Sequence, residues 1–259
     1  MRYEMTKTNT GMALVAATLL CTLTTLTTLT TQAQAAIALD RTRIIFPGGD
    51  KSVSLSVNND NPQLPYLAQG WIEDTKGNKV TSPLTVLPPV QRIEPGAKSQ
   101  VKVQALPVLS QLPQDRETLF YFNLREIPPK SDKANTLQLA LQTRIKLFYR
   151  PKALVKTVTE MATPWQDQLT LTKQGDKYVV NNPTPYYVTL VDAGSRKGVS
   201  ATGFEPLMLE PKSSAPLGIS ASVLGGSPVL TYVNDYGGRP VLTFRCGGSD
   251  CQVEPAKKS

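Results

Sequence analysis

Short strand-like runs separated by turn signals dominate the sequence from Ile37 onward, and no helical period persists over three turns. In one such run Val53, Leu55 and Val57 alternate with serines, which is typical of a strand with one buried face. Clusters of Pro, Gly and Asn end the runs. About seven short strands before Pro151 are what an immunoglobulin-like sandwich needs, and a second set follows. We therefore predict an all-β fold of two immunoglobulin-like β-sandwich domains.

The first 35 residues are organised like a secretory signal peptide. Arg2 and Lys7 precede an apolar run, and Ala33-Gln34-Ala35 matches an A-x-A cleavage motif. We predict a cleaved signal at 1–35 and domains at 36–154 and 155–259. A retained membrane anchor is the alternative, but repeated threonines dilute the hydrophobicity of this segment, so we expect no stable membrane insertion.

The composition excludes several classes of function. The chain has no histidine, which removes Ser-His-Asp and Cys-His catalysis and the commonest metal ligand. We therefore predict a protein that is not an enzyme, with no metal and no cofactor. The formal charge of +8 is scattered along an exported chain, so we expect no nucleic acid partner.

Two cysteines, Cys246 and Cys251, remain after the predicted cleavage. Two cysteines near the end of an exported chain predict a disulfide in an oxidising compartment outside the cytoplasm. The loop between them is short, so its closure contributes only about 2 kcal/mol. Metal binding by this pair is the less favoured interpretation, because the sequence offers no other ligand cluster.

Residues 137–150 combine alternating apolar residues with two cations that lie among apolar neighbours. Leu137, Leu139 and Leu141 share one parity, which predicts a strand with one apolar face. Arg144 and Lys146 follow among apolar residues, and a buried charge is costly unless it is paired. Two interpretations stay open: an ordinary sandwich strand with one solvated face, or a strand that holds a cation ready for an anion.

Residues 112–128 carry the most distinctive motif. Leu112-Pro113 precedes Asp115-Arg116-Glu117, an aromatic run with a central Asn123, and a closing Ile127-Pro128. This order resembles the signature of the PapD-like family of periplasmic pilus-assembly chaperones. Further blocks at 39–43, 63–69, 88–92, 145–151, 183–187 and 234–240 also look like this family, so that the resemblance covers essentially the whole mature chain.

The resemblance implies two immunoglobulin-like domains arranged as a boomerang with a cleft between them. It implies a periplasmic, ATP-independent chaperone that caps pilus (fimbrial) subunits and delivers them to an outer-membrane usher. Self-association of the free chaperone, which would cover its leucine edge, stays open from the sequence. Arg43 and Lys146 match the two cations that anchor the C-terminal carboxylate of a subunit. Charge-assisted hydrogen bonds from two cations suit a carboxylate.

The resemblance also assigns roles to three further groups of residues. The strand 137–146 would complete the incomplete fold of a subunit, with groove residues Leu137, Leu139 and Leu141. An interdomain charge network would consist of Glu117, Arg150 and Asp235. An usher-facing patch would consist of Leu67, Gln69, Pro88, Pro89, Val90 and Ile127, with Leu87-Pro88 as a candidate cis bond.

Two questions remain open from the sequence. The groove leucines are odd-numbered and Lys146 is even, so either a bulge or strong twist lies between Leu141 and Lys146 or the lysine reaches the cleft from a different face. A secreted two-domain immunoglobulin-like adhesion module is the alternative function, and a hydrolase is a distant third, because without histidine no usual nucleophile–base pair can be built.

Overall fold

The computed structural model describes residues 35–255. Almost all of the predicted signal peptide at 1–35 therefore lies outside the described residues. Up to Arg150 this part of the chain forms strands whose bounds are β1 Ile37–Leu39, β2 Arg43–Pro47, β3 Ser52–Asn59, β4 Tyr66–Glu73, β5 Lys79–Val80, β6 Leu84–Leu87, β7 Val90–Ile93, β8 Lys98–Ala105, β9 Thr118–Ile127 and β10 Gln142–Arg150.

These strands form two sheets that enclose one apolar core. The first sheet has the order β1-β3-β8-β6, and the second has the order β2-β10-β9-β4-β5, with β7 also paired to β4. Alternate residues of each strand enter the core, as period-two burial requires. Phe46, Leu55, Phe122 and Leu147 are fully buried there.

The strand-like run that begins at Ile37 forms two strands, β1 and β2, rather than one. Strand β1 pairs antiparallel with β3 in the first sheet, whereas β2 pairs parallel with β10 in the second. The polar residues Asp40, Arg41 and Thr42 lie between them. The chain therefore crosses from one sheet to the other here, and this crossing places Arg43 beside β10.

The remaining strands form a second sandwich around a separate core. Their bounds are β11 Thr170–Gln174, β12 Lys177–Asn182, β13 Val188–Gly194, β14 Leu207–Leu209, β15 Ser213–Ser220, β16 Val229–Val233, β17 Val241–Gly247 and β18 Asp250–Val253. They follow the order β14-β13-β16-β17-β18-β11-β12-β15. Strand β17 pairs first with β16 and then with β18, so it joins the two halves around Leu190, Leu230 and Phe244.

Helical structure in the described residues is short. The α-helices are α1 Val158–Met161 and α2 Ala221–Leu224, and 3-10 turns occupy Pro107–Gln111, Lys152–Leu154 and Trp165–Gln168. No helix among residues 35–255 is long and apolar enough to cross a membrane. The prediction of an all-β fold with two immunoglobulin-like sandwiches is confirmed.

Candidate functional site

Strand β10 faces the first core with one side and the second sandwich with the other. Ile145, Leu147 and Tyr149 are buried in the first core. The even-numbered side chains point the opposite way: Lys146 contacts the second sandwich, and the ring of Phe148 lies 5.6 Å from that of Tyr187. The strand therefore forms one wall of the space between the two sandwiches.

Arg150 joins the sandwiches through two carboxylates. Its Nε donates to Glu117 Oε1 at 2.8 Å, and its Nη1 and Nη2 donate to the two oxygens of Asp235 at 2.7 and 3.0 Å. The other oxygen of Glu117 accepts a hydrogen bond from the Tyr187 backbone N–H at 2.8 Å. The structure thus brings together the three residues Glu117, Arg150 and Asp235, and the contacts span both sandwiches.

The charges in this cluster are strongly coupled. Burial lowers the pKa of Arg150, but the bonds to Asp235 and Glu117 outweigh burial and raise that pKa. Burial raises the pKa of Glu117, and Arg150 opposes this effect. A buried charge that loses its partner costs several kcal/mol, so the cluster can hold the two sandwiches only as a complete set.

Two aromatic rings lie beside Arg150, and neither was assigned a role from the sequence. The guanidinium carbon lies 5.0 Å from the centre of the Trp165 ring and 5.1 Å from that of Tyr186. The two rings stack at 4.4 Å. Cation–π contacts of this kind add to the stability of a desolvated arginine. Tyr186 lies in the family-like block 183–187, but only the fold brings Trp165 close to Arg150, so no sequence pattern could have revealed this contact.

Arg43 and Lys146 are paired residues on the parallel strands β2 and β10. Lys146 Nζ donates to Thr189 Oγ1 at 3.0 Å, and Arg43 Nη1 donates to the carbonyl oxygen of Val233 at 3.0 Å. The Arg43 Nε is buried without a hydrogen-bond partner. Neither cation forms an ion pair with a carboxylate among residues 35–255.

No paired carboxylate among residues 35–255 balances the positive charges of Arg43 and Lys146. Burial, and then repulsion from Arg43, lowers the pKa of Lys146 to about 8. Burial also lowers the pKa of Arg43, while Asp235 and Glu117 oppose it. An anion placed between the two cations would relieve both effects. Thr189 and Val233, which hold the cations in place, are ordinary residues of the second sandwich that the sequence reasoning missed.

A cavity of about 440 Å³ opens beside Arg43. Residues of both sandwiches line it, among them Arg43, Ile45, Arg150 and Tyr236, but Lys146 does not. It is therefore one side of the space between the sandwiches, and the lysine lies beyond its edge.

The three leucines predicted to lie in a strand do not. Strand β10 begins at Gln142, and Leu137, Leu139 and Leu141 precede it with exposed fractions of 84%, 66% and 39%. The prediction was wrong here because alternation describes which face is apolar, whereas a strand also needs a partner for its backbone groups. Among the described residues the ladder with β9 ends where the Glu126 N–H donates to the Leu141 carbonyl oxygen at 3.0 Å.

The parity question has a clear answer. The register of β10 with β9 runs without a shift from Gln142 to Tyr149, so no bulge lies in this part of the strand. Lys146 is therefore on the opposite face from Ile145 and Leu147. The register thus excludes a bulge there, and the lysine reaches the space between the sandwiches from the face opposite Ile145 and Leu147.

Four residues of the predicted usher-facing patch lie on neighbouring strands of the second sheet, namely Leu67, Gln69, Val90 and Ile127, and Pro88 and Pro89 precede β7. Leu67 is opposite Ile127 on β9, and Gln69 is opposite Val90 on β7. Leu67 and Val90 are 37% and 42% exposed, and Pro88 and Pro89 are also exposed. The Leu87–Pro88 peptide bond is cis, as expected.

Two further predictions concern the second sandwich and metal binding. Cys246 and Cys251 are opposite each other in the β17–β18 hairpin and form a disulfide bond. Within residues 35–255 no group of three or more potential ligand side chains is placed to hold a metal ion.

Comparisons with known proteins agree with this geometry. Residues 36–155 match the family model described as pili and flagellar-assembly chaperone, PapD N-terminal domain, and residues 164–244 match pili assembly chaperone PapD, C-terminal domain. The chain is 58% identical over 223 residues to the probable fimbrial chaperone YfcS of Escherichia coli strain K12, covering 86% of this chain and 87% of that one. It is 55% identical over 227 residues to the chaperone protein PapD of Escherichia coli, covering 87% and 92%.

A solved structure gives a similar result. The structure of the Salmonella enterica SafA pilin in complex with the SafB chaperone matches with a TM-score of 0.67 and 27% identity, covering 82% of this chain and 97% of that one. The fold is that of the pilus-assembly chaperones with two immunoglobulin-like domains. The chain belongs to the PapD-like family of pilus-assembly chaperones, which is a family of periplasmic proteins.

Proposed function

We propose that this chaperone binds pilus subunits in the periplasm, caps their assembly surface and delivers them to the outer-membrane usher. It acts without catalysis, ATP or a cofactor, after cleavage of the signal at 1–35. Its two domains are 36–154 and 155–259. The observation that carries the proposal is the pair of cations, Arg43 and Lys146, which has no carboxylate partner among residues 35–255 and lies between the two sandwiches.

The ligand of this pair is the C-terminal carboxylate of a subunit. A chain terminus is an anion that every subunit possesses, and two cations on adjacent strands can donate to both of its oxygens. Thr189 and the Val233 carbonyl support the proposal, because they fix the positions of Lys146 and Arg43 before the ligand arrives. Preorganised donors lose less entropy on binding.

The second device is the donor segment, residues 137–141, which precedes β10. Its leucines are exposed, and we propose that they enter the core groove of a subunit while the backbone adds a strand to the subunit's sheet. Each leucine that becomes fully buried would contribute roughly 1.5–3 kcal/mol.

The remaining groups have supporting roles. Glu117, Arg150 and Asp235 fix the angle between the sandwiches, since their contacts cross from one to the other. The patch around Leu67 and Val90 docks the usher, because exposed apolar residues clustered on one face are typical of a partner site.

The test is coexpression with the pilus subunit encoded beside this gene. We expect the double variant R43A/K146A to fold normally but to lose recovery of the subunit in a pull-down. The matched control replaces two exposed lysines of the first sandwich, K98A/K102A, and should recover the subunit as the unmodified protein does. Equal recovery by R43A/K146A and the control would refute the carboxylate anchor.

A further inference from the structure

Glu126 is a buried acidic residue that none of the proposed devices uses. It occupies the last core-facing position of β9, two residues after Leu124 on the same face, and is only 5% exposed. Among residues 35–255 it forms no ion pair with a lysine or an arginine. A buried carboxylate without a cation is costly, so its surroundings need an explanation.

Its two oxygens hold two distant parts of the chain. Oε2 accepts a hydrogen bond from the Ile37 backbone N–H at 3.0 Å, and Oε1 accepts one from the Leu141 backbone N–H at 3.4 Å. Ile37 begins β1, whereas Leu141 is the base of the donor segment. Both oxygens act as acceptors, which is the pattern of a carboxylate.

The residue before Ile37 is the predicted mature N-terminus, Ala36. Ala36 is 9% exposed, and its carbonyl oxygen accepts from the Asp60 N–H at 2.7 Å, so its position is fixed. Successive backbone nitrogens are separated by at most about 3.7 Å, given standard bond lengths. The nitrogen of Ala36 therefore lies within roughly 7 Å of the Glu126 carboxylate, and cleavage after Ala35 would turn it from an amide into an ammonium ion.

We propose that Glu126 binds the α-ammonium group created at Ala36 by signal cleavage, and that this ion pair positions the base of the donor segment at Leu141. The inference rests on the proposed function, from which it takes the cleavage after Ala35 and the donor segment. Processing supplies the cation that the buried carboxylate lacks. The same carboxylate holds Leu141, the residue that joins the donor segment to β10.

Two other charged residues at this end of the first sheet enter the design of the test. Asp60 binds the Ala36 carbonyl through its backbone, and its exposed carboxylate is a competing partner. Lys98 is opposite Asn58 on β8, next to the strand β3 that pairs with β1. Burial alone would lower the pKa of an α-amino group, whereas an ion pair raises it.

The experiment uses the processed protein purified from the periplasm, with its N-terminus determined by intact mass. Trace labelling of the α-amino group with acetic anhydride across pH gives its pKa. We expect a pKa of about 9, above the ordinary value of about 8, and a return to about 8 or below in E126Q. The control E205Q removes an exposed glutamate and should keep the raised pKa, and D60N should keep most of it.

Hydrogen exchange at the Leu141 amide tests the positioning role. We expect about tenfold faster exchange in E126Q, with no change at Leu147, whose amide lies in the β10 ladder. If E126Q does not fold, insertion of one glycine between Ala35 and Ala36 moves the ammonium group away and leaves every side chain intact. This variant should return the pKa to about 8.

The outcomes separate this inference from the proposed function. An N-terminus at Ala36 with an unraised pKa, or with a pKa that E126Q does not change, overturns the ion pair while subunit capture stands. Unchanged Leu141 exchange in E126Q overturns the positioning role. An N-terminus other than Ala36 shows that the predicted cleavage site is wrong, and the inference then fails with it.

Discussion

Raising the pH tests the role proposed for Lys146. In the free protein the pKa of Lys146 is lowered to about 8 by burial and by Arg43. A bound carboxylate would favour the charged lysine and raise its pKa above that value. The complex then holds a proton that the free protein has lost at high pH, so affinity must fall as pH rises through about 8 and must be constant below it.

The magnitude follows from the linkage of one proton. If the pKa in the complex is above about 10, raising the pH from about 7 to about 9.5 weakens binding about 30-fold, and the slope approaches tenfold per pH unit. The sign is opposite to that for a carboxyl group with a lowered pKa, whose contribution would be lost at low pH. No other group need be invoked, because Arg43 stays protonated throughout this range.

The assay is calorimetric titration with a peptide that copies the last residues of the subunit and ends in a free carboxylate. The variant K146R keeps the charge at all of these pH values, so its affinity should be independent of pH. The same peptide with a C-terminal amide should bind more weakly and without the slope. A pH-independent affinity for the unmodified protein, or an equal slope in K146R, would refute the reasoning.

Two further predictions concern stability and capture. Replacing Glu117 by Gln leaves Arg150 with an incomplete set of buried partners, so we expect the free energy of unfolding in urea to fall by about 3 kcal/mol. The variant E205Q, at an exposed site, should have an unchanged free energy of unfolding. A loss below about 0.5 kcal/mol in E117Q would contradict the coupling. Replacing Leu139, which is 66% exposed, by Asp should leave the free energy of unfolding unchanged but abolish recovery of the subunit in a pull-down. The control V223D, at an exposed site on α2, should recover the subunit normally. Normal recovery by L139D would refute the donor role.

The fold was largely predictable because strand periodicity and turn residues reflect local physics. The exceptions are instructive. Strand β15 was missed because Pro216 and Gly218 lie within it, and both normally end a strand. It lies at the end of its sheet, where a missing N–H is tolerated and where these residues discourage pairing with another chain. Strand β18 was missed because it is short and begins at Asp250, within the loop that the disulfide bond closes.

The site was predictable only where the family motif names its residues. Glu117, Arg150 and Asp235 are far apart in sequence, and without the motif each would be an ordinary charged residue. The neighbours that give the site its geometry, Thr189 and Trp165, carry no pattern, because they act through position alone. The donor segment shows the converse limit, since its alternation predicted a strand, whereas residues 137–141 precede β10 and lie outside any strand.

The unbroken register of β10 restricts how this chain can change. Its odd-numbered residues fill one core and its even-numbered residues reach the other sandwich, so a single insertion after Gln142 would turn Lys146 and Arg150 inward and Leu147 outward. Two buried surfaces would be lost at once. This stretch can therefore accept new side chains but not a new length, and length variation between relatives should fall in the loop before it.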